Sequence, residues 1–80
     1  MKEFIEEIMI RFASAKPNKI FSLMEFENVI DPLYKDELCG KALQEIEQMG
    51  WLQRNEIDGF PVIVLTLDGQ EFAEGLLEEN

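Results

Sequence analysis

The chain has 80 residues, 46% of them apolar, and 17 acidic residues against 7 basic ones leave a formal charge of −10. That length suits a single domain, residues 1–80, whose core supplies only about 3–5 kcal/mol unless something supplements it, a second copy of the chain being one candidate. The charge opposes phosphate backbones and anionic membranes at long range; the absence of histidine removes a histidine-based metal site, general base or pH switch; and no apolar run approaches the roughly 18 residues that span a bilayer.

At the N-terminus, Met1-Lys2-Glu3-Phe4-Ile5-Glu6-Glu7 places acids where a secretory signal carries a basic region and an unbroken apolar stretch, so a soluble, cytoplasmic protein is expected. Cys39 is the single cysteine and has no internal disulfide partner, which fits a reducing compartment. Phe4, Ile5, Ile8, Met9 and Phe12 recur on one helical face, and Lys16-Pro17-Asn18 supplies the stop, so a first helix is expected from Lys2 to Ala15. The short run Lys19-Ile20-Phe21 leads to Ser22, which with Glu25 three residues later forms a capping-box pattern ahead of Leu23, Phe26, Val29 and Ile30. Asp31-Pro32 ends this brief second helix. Leu38, Cys39, Ala42, Leu43, Ile46 and Met49 then make a broad apolar stripe closed by Gly50, which predicts a third helix.

Beyond Gly50 the apolar period shortens. Trp51-Leu52-Gln53-Arg54 and Val62-Ile63-Val64-Leu65 are rich in strand formers and flank the turn pair Asp58-Gly59, the pattern of a β-hairpin. Thr66 can cap a last helix with Phe72, Ala73, Leu76 and Leu77 on its inner face, weakened by Gly69 and Gly75. The order predicts an α+β fold, a winged helix-turn-helix: a three-helix core, a two-stranded β-hairpin wing with its tip at Asn55 to Phe60, and a C-terminal helix.

Tyr34-Lys35-Asp36-Glu37 leading into Leu43, Ile46 and Gly50, then Leu65-Thr66-Leu67-Asp68-Gly69-Gln70-Glu71-Phe72, resembles the small uncharacterised winged-helix proteins of phages and prophages over roughly the C-terminal two thirds of the chain. MarR-type and other winged-helix families use related phrases at the same places. The resemblance implies the fold and a mobile-element setting; it carries no activity.

Three functional readings follow. On a straight third helix Glu37, Lys41, Gln44 and Gln48 face away from the core stripe, where glutamine suits adenine and lysine suits guanine. That is a DNA-reading face or a solvated one, and Lys35, Lys41 and Arg54 are few phosphate contacts beside Glu37, Glu45, Glu47, Glu56 and Asp58. Alternatively, the carboxylates at Glu3, Glu6 and Glu7 and at Glu71, Glu74, Glu78 and Glu79 mimic nucleic acid toward a basic host protein, or merely solvate helix ends. Finally, Val62 to Leu65 run without alternation, so the hairpin carries apolar side chains on both faces. A protein interface then draws on Ile10, Trp51, Phe60, Val62 and Val64, unless the last helix covers the hairpin within the chain.

The protein-interaction reading, with a foreign protein or a homodimer as partner, is preferred over DNA recognition, and an enzyme is not expected: no nucleophile with an adjacent base is visible. Cys39 lies in the core stripe as a small hydrophobe. No cofactor is expected, and no calcium-loop spacing marks a metal site.

Overall fold

The computed structural model describes residues 1–33 and 36–79. Tyr34 and Lys35, which belong to the phage-like phrase and to the expected phosphate contacts, lie outside the described residues. The order is α1 (Lys2–Ala15), β1 (Ile20–Ser22), α2 (Leu23–Ile30), a single 3-10 turn (Asp31–Leu33), α3 (Leu38–Gln48), β2 (Leu52–Ile57), β3 (Phe60–Leu65) and α4 (Leu67–Glu79). The fold is α+β, with four helices and a three-stranded antiparallel sheet in the order β1-β3-β2. The expected two-stranded wing thus gains a strand: Ile20, Phe21 and Ser22 pair with Val64, Ile63 and Val62. Three residues give too little periodicity to announce a strand, and the pairing is made by a partner some forty residues away in sequence.

Local chemistry explains the boundaries. The Lys19 ammonium donates to the carbonyls of Ala13 and Lys16, satisfying the open end of α1. At α2 the Ser22 hydroxyl accepts from the Glu25 N–H while the Glu25 carboxylate accepts from the Ser22 N–H, the reciprocal cap foreseen in the sequence. Helix α3 ends in a Schellman arrangement: Gly50 donates to Glu47 O and Trp51 to Ile46 O, with Gly50 at φ +76°, a left-handed geometry that glycine adopts without a Cβ penalty. Asp58 and Gly59 both have positive φ, as a two-residue type I′ turn requires. The strands therefore run right up to this turn, to Ile57 and Phe60, and the wing tip is shorter than the stretch from Asn55 to Phe60.

The core is built around α1, whose Ile5, Ile8, Met9 and Phe12 are buried and which packs against α2, α3 and α4. Phe12 meets Phe21 edge-on at 5.1 Å and stacks on Phe26 at 5.5 Å. Ile30, Ala42, Ile46, Leu52, Ile63, Leu65 and Ala73 complete the cluster. The stripe of α3 is narrower than its sequence suggests: Leu38 and Met49 at its ends are exposed. On α4 Ala73 is buried, but Leu77 is exposed, because α4 lies along α1 and its last turns run beyond the core.

Gly69, which weakens α4 by propensity, is required by packing. It is buried, and a Cβ there would strike the Trp51 carbonyl while pressing on Leu65. Alanine at Gly69 should therefore destabilise the fold by about 1–3 kcal/mol despite its better helix propensity. Ile46→Ala should cost about 2–5 kcal/mol, and Leu43→Ala, only partly buried, distinctly less. Urea denaturation of the three variants checks this order; a Gly69→Ala protein as stable as wild type would contradict the close approach.

Candidate interaction surfaces

Register assigns each hairpin side chain to a face, since directly paired residues share one. Phe21, Ile63, Leu52, Leu65, Arg54 and Pro61 share the side that meets the helices, whereas Ile20, Val64, Gln53, Val62, Asn55, Ile57 and Phe60 share the outer side. The parity left open by the sequence is thereby set, with Val62 and Val64 outward. Outward does not mean accessible. Val62 is only 8% exposed and Val64 half-buried, so Val62 is not a docking residue as it stands; the free apolar side chains of the hairpin are Phe60, 73% exposed, and Ile57 beside it.

The remaining members of the expected interface are dispersed. Trp51 stacks on Phe72 of α4, with ring centroids 3.9 Å apart, and lies at the base of the hairpin. The ladder from Leu52↔Leu65 to Ile57↔Phe60 separates that base from the tip by about 17 Å. Trp51 instead borders a shallow apolar recess of about 430 Å³ with Met1, Ile5, Met49 and Phe72. Ile10 is half-buried on α1. A single patch through Ile10, Trp51, Phe60, Val62 and Val64 therefore does not form; of these five Phe60 alone is exposed, with Ile57 beside it.

A larger groove of about 720 Å³ opens between α2, α3 and the inner side of the hairpin. Leu23, Phe26, Leu43 and Pro61 give it apolar walls, Gly40 lies in one side, and Glu27, Gln44, Glu47 and Arg54 bring polar groups to it. Glu37, Lys41, Gln44 and Gln48 are all exposed, as expected for a helix face turned from the core. Only Gln44 of these borders the groove. The groove side of α3 is carried by Gly40, Leu43, Gln44 and Glu47, rotated by most of a quarter turn from the expected face. Sequence spacing alone could not locate this side, because it depends on where α2 and the hairpin sit. The sequence does carry one mark of this side, Gly40, a glycine inside α3 that costs about 1 kcal/mol relative to alanine.

Three cations near these surfaces, Arg54, Lys16 and Lys19, are engaged. The Arg54 guanidinium lies 2.6 Å from the Glu47 carboxylate, Lys16 is 2.7 Å from Glu25, and Lys19 serves the end of α1. Burial, followed by the nearby Asp36 carboxylate, pushes the Cys39 thiol up, which disfavours the reactive thiolate. Among the described residues, no group of three or more metal-ligating side chains is placed to hold an ion, and no helix is long and apolar enough to cross a membrane.

Set against family models, curated proteins and solved structures, the chain matches none. Function has to be read from the geometry.

The tie that fixes α2, one wall of the groove, is pH-sensitive. Hydrogen bonding from Lys16, then from the Ser22 N–H, holds the Glu25 carboxyl down at about 2 against its usual 4.5. A carboxyl depressed in the folded state adds stability that is present above the unfolded value and is lost as pH falls toward the folded one. Glu25→Gln should therefore lower the melting temperature at neutral pH, and the gap to wild type should close between pH 4.5 and about 2. Thermal melts across that range check it, and a gap that stays constant would contradict the tie.

Proposed function

We propose that the chain is a winged-helix interaction module, of the phage or prophage kind that its Gly50 and Leu65-Thr66-Leu67-Asp68-Gly69 phrases resemble, acting in the cytoplasm by binding a protein rather than by catalysis. The order helix, strand, helix, helix, hairpin, helix supports the winged-helix reading. The observation that carries the functional reading is the hairpin tip, where Phe60 is 73% exposed beside a half-exposed Ile57. A large aromatic held in water at the end of a rigid hairpin gains about 1.5–3 kcal/mol on burial, and aromatics of this kind anchor protein interfaces. The carboxylates around it, Glu56 and Asp58, give orientation and association rate toward a basic partner.

The electrostatics favour protein over DNA. A DNA-reading wing needs free cations for phosphates, yet Arg54, the single cation between Leu52 and Leu65, is ion-paired with Glu47. Lys41 is left as the cation of α3 itself.

Serine at both Ile57 and Phe60 should leave stability within about 0.5 kcal/mol of wild type, because neither side chain is in the core, and should abolish partner retention by the immobilised protein or, where light scattering finds a dimer, dissociate it. The opposite result is a duplex-DNA affinity, read by fluorescence anisotropy, that falls with salt and vanishes in Lys41→Glu while the double serine variant behaves as wild type. That outcome would overturn the proposal in favour of DNA recognition.

A further inference from the structure

We propose that the groove between α2, α3 and the inner side of the hairpin receives an amphipathic, basic helix of a partner protein, whose apolar side chains rest on Leu23, Phe26 and Leu43 and whose backbone crosses Gly40. This rests on the protein-binding reading above but concerns the face of the hairpin opposite Phe60, so the two surfaces fail separately.

Gly40 supplies the first argument. It is exposed within α3, and a Cβ built on it meets no atom of the described residues within 4 Å. Glycine inside a helix costs about 1 kcal/mol relative to alanine, and no packing among the described residues requires it. Gly69 shows the contrast, since its missing side chain is demanded by the Trp51 carbonyl. Gly75 is as unencumbered as Gly40, but it lies in the closing turns of α4 and borders neither recess. Where two helices cross, a small residue lets their axes close to about 8 Å. Gly40 stands where an incoming helix would make such a crossing, and the groove follows α3 from Gly40 to Glu47, about 10 Å, or two helical turns.

Charge selects the partner. Glu27 borders the apolar walls, and Glu56 shares the groove side of the sheet through its pairing with Pro61. Arg54 is held by Glu47, and the chain as a whole carries −10. An acidic helix or a nucleic acid meets repulsion here; leucine-type side chains flanked by lysine or arginine meet complementary surfaces on both counts. A second copy of this chain would bring the same negative charge to the same groove.

The test uses the full chain, isotopically labelled, and a synthetic peptide of about three helical turns with leucines on one face and lysines on the other. At moderate salt the peptide should produce saturable amide shifts at Gly40, Leu43, Gln44 and Ile63, and the same peptide with glutamate for lysine should produce none. Gly40→Leu should weaken binding by roughly tenfold or more while melting no lower than wild type, since its Cβ enters open space and leucine is the better helix former. Undiminished binding to Gly40→Leu, or shifts confined to the acidic ends of α1 and α4, overturns the groove as the site. Loss of binding in Phe60→Ser with no effect of Gly40→Leu overturns it too, and leaves the wing-tip reading standing. Concentration-dependent shifts of the same amides without peptide would assign the groove to a second copy and overturn the basic helix as its occupant.

Discussion

The fold depends on one joint, where the chain leaves α3 and later enters α4. The Thr66 hydroxyl donates to Gly50 O at 2.6 Å and lies 3.2 Å from Trp51 O, and the Thr66 N–H donates to Trp51 O. The same hydroxyl accepts the Gly69 N–H, so one threonine caps α4 and clamps the end of α3 to the base of the hairpin. Gly50 is left-handed so that its backbone can turn there, and Gly69 is bare so that α4 can approach the Trp51 carbonyl. The Trp51 ring then closes the joint from outside by stacking on Phe72. The hairpin, α3 and α4 thus hold one geometry at this joint.

That joint also gives a physical meaning to the phrases that resemble phage winged-helix proteins. A glycine at the end of one helix, and a leucine-threonine, any, acidic, glycine run opening another, look unrelated when read along the chain. In space they are the two halves of one hydrogen-bonded crossing.

Much of the scaffold was legible because its signals are local. The Ser22 and Glu25 box, the Gly50 stop, the Asp58-Gly59 turn and the α1 stripe each involve residues a few positions apart, where backbone chemistry dominates. The short extended run before Ser22 was legible but its place in the sheet was not, since Ile20–Ser22 becomes a strand only when Val62, Ile63 and Val64 arrive to pair with it. The surfaces were harder still. Trp51, Phe60 and Val62 are all large and apolar, and nothing in their identity says that one stacks on Phe72, one projects into water and one is buried. Exposure is a property of neighbours, and here the neighbours come from α2 and α4. Gly40 and Gly69 make the same point: both were anomalies of helix propensity, and only the packing around each separates a glycine the fold requires from one it does not.

Stability and interaction pull against each other in so small a chain. With a core cluster reaching from Ile5 to Ala73 and no disulfide, every large apolar side chain left outside forgoes part of a narrow margin. Phe60, Met24 and Leu67 are nonetheless among the most exposed. Of these, Phe60 has Ile57 paired against it at the end of the ladder. The high negative charge keeps such a surface soluble without screening it from a partner, because like-charged copies repel at the distances where apolar contact has not begun. A cationic partner experiences the reverse, attraction at long range followed by apolar burial at contact. In the proposed interaction, the composition that makes self-association costly would make association with a basic protein fast, and charge would be the first filter on partners.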